Sequence, residues 1–408
     1  MNEALFKAIR EGGNLSAMGS NGIKSATKLQ MTKFTPEQFE EFKTQFMSFL
    51  LTLNDMFERK YGFPAWEDEA FLQSGNCFSG SSRTFFQKPF ATYAEYKKKV
   101  GDFDIQVDEK IHEQWGEFTR SLVNQPIGDF TIYGNTSNFA QDHSLVIANQ
   151  NKYKGVGAEY MQVDWEYVPY ENGHPTEFAT FAHYSSWEDL ENNVKGLFIK
   201  YLLRAIAHCN KTEGTIEVSP KTGRPVTSHG EKILNPSSIA FSVDKGVRNK
   251  LKPWLNDDGT EAVDEETGLK KVYKQPTKES EYTTDVDKIF ELFFHRPPKS
   301  EEEKKKLYSF VRTLSLMEEN FTKEEICKVF DYFIDLIWAP YAQKLSAFDK
   351  DEDKGWKETA VNKFYEVFPY LKDKFGDEVA DKEVDYYSTY VNRQRDAEIT
   401  DEGGTGGE

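Results

Sequence analysis

Phe78-Ser79-Gly80-Ser81-Ser82-Arg83, followed further along by Gly101-Asp102-Phe103-Asp104-Ile105, decides how this chain is read. In the second segment Phe103, Ile105 and Val107 alternate with Asp102, Asp104, Gln106 and Asp108, which is the period of a β-strand. The two aspartates therefore share one face. Like charges held that close are unfavourable unless a cation neutralises them. Hard cations such as Mg²⁺ take oxygen ligands, usually one or two carboxylates together with substrate phosphates. Ahead of the strand, the Gly80-Ser81 turn offers backbone N–H groups, with the Ser81 and Ser82 hydroxyls and the Arg83 guanidinium beside them. Such a set suits a polyphosphate.

A third carboxylate from another strand would complete a metal site. Met161-Gln162-Val163-Asp164-Trp165-Glu166-Tyr167 alternates in the same way, and Asp164 is the candidate, with Glu166 on the same face in reserve. A solvent-facing acidic strand edge explains Asp164 equally well.

Working outward, residues 1–33 read as an N-terminal arm. Thr35-Pro36-Glu37-Gln38 is a helix start with a capping box and proline in the first turn. Phe39, Phe42, Phe46, Phe49, Leu50, Leu53 and Phe57 then fall on one face, and Gly62 ends the helix. Residues 34–208 form the expected catalytic domain. Within it, the turn at Glu171–Pro175 is expected to join strands through Phe181, and Ser186 to cap one long helix carrying Lys195, Lys200 and Arg204. Lys200 and Arg204 share a helix face and are candidates for reaching phosphates, although a solvated face explains them too.

Residues 209–283 are punctuated by glycine and proline and read as a β-rich extension of that domain, with an acidic loop near Asp257–Gly268. Lys245, Arg248, Lys250 and Lys252 form a basic stretch that suits a nucleic-acid backbone, or a charged strand edge. Residues 284–378 read as a helical domain, with Ser300 and Thr322 as caps. Residues 379–408 read as a flexible tail: from Asp396 onward there are five acidic residues, four glycines and no basic residue.

Composition narrows the function classes. The chain has 408 residues and a net charge of −17, which argues against coating duplex DNA by bulk charge. Its three cysteines, Cys77, Cys209 and Cys327, lie far apart and build neither a disulfide framework nor a cysteine-rich zinc module. The seven histidines show no HxxxH or HxH spacing, so a histidine-based metal site is not expected. No apolar stretch is long enough for a membrane span and no export signal opens the chain, so a soluble, cytoplasmic protein is expected.

In Ser79-Gly80-Ser81, Asp102-Phe103-Asp104-Ile105 and Asp164 the sequence resembles the nucleotidyltransferase superfamily that includes DNA polymerase beta and the CCA-adding enzymes. The resemblance covers roughly residues 70–207 and extends to phage-encoded members, for which the compartment would be the host cytoplasm. It implies an α+β fold: a small mixed-sheet palm with flanking helices, followed by a C-terminal all-helical domain. It also implies transfer of a nucleoside monophosphate from an NTP such as ATP to an acceptor hydroxyl on RNA, a nucleotide or a protein. Asp102, Asp104 and Asp164 would hold Mg²⁺ or Mn²⁺, with Gly80, Ser81, Ser82, Arg83, Lys200 and Arg204 on the nucleotide. Two other readings stay open: an Asp-x-Asp glycosyltransferase using a nucleotide sugar, and a non-catalytic interaction or virion-associated protein.

Overall fold

The computed structural model describes residues 29–30, 33–96, 99–137, 141–153, 160–222, 224, 226, 230–339 and 350–402. Residues 1–28 and 31–32 of the expected arm, and 403–408 of the expected tail, lie outside the described residues. The fold is mixed α+β, in two compact units: Met1–Gly196 with Gln343–Trp356, and Leu197–Ala342 with Lys357–Glu408.

The first unit runs β1 (Leu29–Gln30), α1 (Pro36–Tyr61), α2 (Glu69–Gln73), α3 (Gly80–Gln87), α4 (Phe90–Tyr96), β2 (Lys99–Val100), β3 (Phe103–Asp108), α5 (His112–Ser121), β4 (Pro126–Ile127), β5 (Phe130–Ser137), β6 (Gln141–Ala148), α6 (Gln150–Tyr153), β7 (Tyr160–Val168), β8 (Tyr170–Glu171), β9 (His174–Pro175), α7 (Glu177–Ala182) and α8 (Trp187–Glu191). Five strands make a curled sheet in the order β3-β7-β6-β5-β4. Only β3 and β7 are parallel; the other neighbours are antiparallel.

Helix α1 forms as its sequence dictates. The Thr35 side chain and Gln38 make the reciprocal capping box, and Gly62 closes the helix at φ 85°, a left-handed conformation that glycine adopts without strain. Its phenylalanine face lies on the sheet. The Phe46 ring is 4.9 Å from Phe103 and 5.4 Å from Phe130, centroid to centroid. Alternation along β3 buries Phe103, Ile105 and Val107 on the helix side and leaves Asp104 and Gln106 on the other. One face of the sheet is thus spent on apolar packing, and the opposite face carries polar side chains that are themselves largely buried.

Two local expectations are corrected here. Beyond the β8–β9 turn, residues 177–182 are helical rather than strand, because the Thr176 hydroxyl caps the Ala179 N–H and Phe178, Phe181 and Ala182 fall at helical spacing. Ser186 caps only the short α8, since Asn193 takes a left-handed φ of 54°, which asparagine tolerates and a continuing helix forbids.

The second unit contains α9 (Gly196–Cys209) from Leu197 on, β10 (Thr215–Val218), β11 (Glu231–Leu234), β12 (Ile239–Ser242), β13 (Gly246–Asn249), β14 (Leu251–Pro253), β15 (Val272–Lys274), β16 (Tyr282–Thr283), α10 (Val286–Phe294), α11 (Glu301–Lys304), α12 (Phe310–Asn320), α13 (Lys323–Trp338), α14 (Lys350–Val367) from Lys357 on, and α15 (Tyr370–Glu402). The residues at 209–283 are β-rich as expected but belong to this unit, not to the one holding the aspartates, while the described residues from Val286 onward are helical as expected. Sheet β12-β13-β16 leads directly into α10, and Phe241 meets Phe293 with ring centroids 6.2 Å apart.

The expected tail is also corrected, because α15 runs as helix to Glu402. Tyr386 and Tyr387 anchor it on Trp338, at 5.8 and 6.0 Å. The Lys357 ammonium lies 3.5 Å from the Tyr386 ring centroid. These apolar anchors sit ahead of the acidic run that dominated the composition.

Candidate metal centre

Parallel pairing of β3 with β7 sets Asp104 directly beside Asp164. Antiparallel pairing of β7 with β6 sets His143 on the far side of Asp164. Three neighbouring strands thus present Asp104, Asp164 and His143 in one row on one face. Asp102, just before β3, joins them: one carboxylate oxygen from each of Asp102, Asp104 and Asp164 lies within 4.8 Å of the others. All three were candidates from the sequence, and the structure brings them together.

Asp164 is held from two directions. His143 Nδ1 is 2.7 Å from its Oδ1, and Gln162 Nε2 donates to both oxygens, at 2.8 and 3.0 Å. Burial opposes a charge on His143. The hydrogen bond to Asp164 and the charges of Asp164, Asp142 and Asp102 together outweigh that effect and raise its pKa. Neither His143 nor Gln162 stood out in the sequence. The only signal for them was cross-strand register, which no local spacing encodes.

Glu166, the reserve ligand, does other work. Its Oε2 accepts from the Ser79 hydroxyl at 2.5 Å and lies 3.3 Å from His183 Nδ1. The three-carboxylate group does not include it.

The glycine-serine turn is the start of α3. Gly80 sits at φ 55°, and a Cβ there would overlap Asp104 Oδ2, so the backbone approaches the carboxylate only because this residue has no side chain. The Ser79 N–H donates to the Asp104 carbonyl at 2.9 Å, and the Gly80 N–H to the His183 carbonyl at 2.9 Å.

Ser82 is corrected as a nucleotide contact. It is fully buried, and its hydroxyl donates to the Ser79 carbonyl at 2.7 Å and accepts from the Asp104 N–H at 3.1 Å. It fastens α3 to β3. Ser81 and Arg83 remain half-exposed in the first turn of α3, where Arg83 donates to Asn76 Oδ1 at 3.3 Å. The stretch between Ser81 and Asp102 holds the rest of α3, then α4 and β2. Lys200 and Arg204 are on α9 in the second unit, Lys200 half-buried and Arg204 exposed. Lys195 Nζ lies 3.1 Å from the Trp356 ring centroid.

The donor set fits a hard divalent cation: two carboxylates from neighbouring strands and a third from the residue just before one of them, with Asp164 oriented by an imidazole and an amide. Among the described residues no helix is long and apolar enough to cross a membrane. No protein-family model, no curated protein and no solved structure matches this chain.

Proposed function

We propose that the chain is a divalent-metal-dependent nucleotidyltransferase, with the curled sheet as its palm. The reading rests on one observation: Asp102, Asp104 and Asp164 converge within 4.8 Å beside the glycine that opens α3. Bound Mg²⁺ or Mn²⁺ would supply charge neutralisation at the transferring phosphate and acidify an acceptor hydroxyl. The chain's own residues do the rest. Asp102, Asp104 and Asp164 hold the cation, while His143 and Gln162 fix the Asp164 carboxylate in one orientation. Gly80 lets the helix start approach Asp104, and Ser81 and Arg83 on that first turn are assigned to the departing pyrophosphate. The acceptor is a hydroxyl on RNA, a nucleotide or a protein.

A nucleotide-sugar transferase is disfavoured. Such an enzyme needs several parallel strands before its aspartates, whereas the described residues ahead of Asp102 hold four helices and two two-residue strands.

The test is transfer of label from α-labelled NTPs to RNA, DNA and protein fractions, with Asp102→Ala and Asp104→Ala beside the wild type. Transfer by the wild type and at least hundredfold loss in both variants supports the reading, since both ligands serve one centre. Equal transfer by all three proteins would sink the ligand assignment. No transfer by the wild type, with Mn²⁺ still raising its melting temperature, would leave a metal-binding protein of another class.

A further inference from the structure

Basic residues recur around β13, and their surroundings are unusual. Arg248 pairs with Ala240 on one side and Tyr282 on the other, in the middle of the β12-β13-β16 sheet, and is only 9% exposed. Lys250 follows two residues later, on the same side of an extended chain. Its backbone is pinned by donation to the Ser238 carbonyl at 2.6 Å and acceptance from the Gln275 N–H at 2.8 Å. A buried guanidinium normally has a carboxylate partner, because an unpaired charge taken out of water is expensive. Arg248 instead donates to hydroxyls, Ser280 Oγ at 3.0 Å and Thr277 Oγ1 at 3.4 Å. Lys250 Nζ donates to Ser237 Oγ at 2.7 Å. Among the described residues neither cation makes an ion pair with a carboxylate.

The neighbours sharpen the imbalance. Burial, and then the charges of Lys274, Arg248 and Lys211, push the Lys250 ammonium down to about 8. Burial, with Lys250 and Lys211, likewise lowers His208 to about 4. Several cations thus converge on a partly open face. The Ser280 hydroxyl donates to the Pro276 carbonyl at 3.0 Å while accepting from Arg248, and so holds the guanidinium in place, whereas the Ser237 and Thr277 hydroxyls accept from the cations with their protons able to turn outward. That is the lining of an anion site.

We infer that Arg248 and Lys250, with the hydroxyls of Ser237 and Thr277, form a phosphate-binding site in the second unit, Ser280 holding Arg248 in place. The ligand is a phosphoryl group, carried either by a single-stranded nucleic acid or by a free nucleotide. The site is separate from the carboxylate centre and does not depend on the function proposed for that centre.

The experiment uses the full chain in EDTA, so that the carboxylates hold no cation. Binding of a fluorescein-labelled oligouridine of about 12 nucleotides is followed by anisotropy at several salt concentrations. Melting temperatures are taken in chloride, in phosphate and with ATP at matched ionic strength. The variants are Lys250→Gln and the exposed Lys211→Gln. For a nucleic-acid ligand, Lys250→Gln weakens oligouridine binding roughly tenfold at low salt, and each variant lowers the salt slope by about 0.7. For a free nucleotide, ATP or phosphate raises the wild-type melting temperature and fails to raise that of Lys250→Gln, with no oligouridine preference. In chloride alone, Lys250→Gln melts at or above the wild type, because it relieves like-charge crowding. A lower melting temperature there, or oligouridine and phosphate responses unchanged by both variants, overturns the site.

Discussion

Gly80 carries two separate demands, and they can be measured apart. Its positive φ strains any L-residue, and the space a Cβ would fill belongs to Asp104. Gly62 has the first demand without the second, since nothing lies within 4 Å of a Cβ placed there. Gly62→Ala should therefore lower stability by about 1 kcal/mol. Gly80→Ala should lower it by at least ~2 kcal/mol, because the start of α3 must also retreat from β3. Urea midpoints of the two variants check the difference. A second residue-scale prediction concerns pH. Arg296 holds Glu303 through both carboxylate oxygens, at 2.8 and 2.9 Å, and the Glu303 pKa falls to about 2, chiefly through that hydrogen bonding. A depressed carboxylate adds stability that is complete above its unfolded pKa and disappears as pH falls through the folded value. Glu303→Gln should be less stable than the wild type by about 1.5–3 kcal/mol at neutral pH. The gap should close as pH falls from about 4.5 towards 2; a gap independent of pH would show that the pair contributes nothing.

At the scale of elements, local signals and tertiary ones separate cleanly. Helix α1 was legible because cap, proline, periodicity and terminal glycine all lie within one continuous stretch. Phe46→Ala should cost 3–5 kcal/mol, roughly the range for removing a fully buried phenylalanine. Thr35→Ala, which removes only the cap, should cost about 1 kcal/mol. Chemical denaturation ranks the two, and equal effects would mean that the helix is not seated on the sheet through Phe46. The aspartate strands were legible for a similar reason, since period-two alternation marks Asp104 and Asp164 as facing residues. His143 was not, because it becomes a neighbour of Asp164 only through the β6–β7 register. Ser82 looked like a phosphate contact because a hydroxyl's direction is set by where its helix docks. The break after α8 hid in Asn193, whose left-handed turn interrupts an otherwise helical pattern.

At the scale of the whole molecule, the β-rich residues 209–283 showed no sequence mark of which neighbours they would join, and they joined the C-terminal helices. Each unit has its own buried core, so calorimetry should resolve more than one transition. Phe46→Ala and added Mn²⁺ should both move the transition of the first unit, in opposite directions, and Glu303→Gln the other. A single transition shifted alike by all three would show the units melting as one. The row of Asp104, Asp164 and His143 also has a bearing on timing. Its members come from distant points of the chain and meet only when three strands have found their register, and such long-range closure is slow. A nascent or half-folded chain therefore has no chelate to offer, so an ion held at the proposed centre would arrive as the last guest, after the sheet has closed.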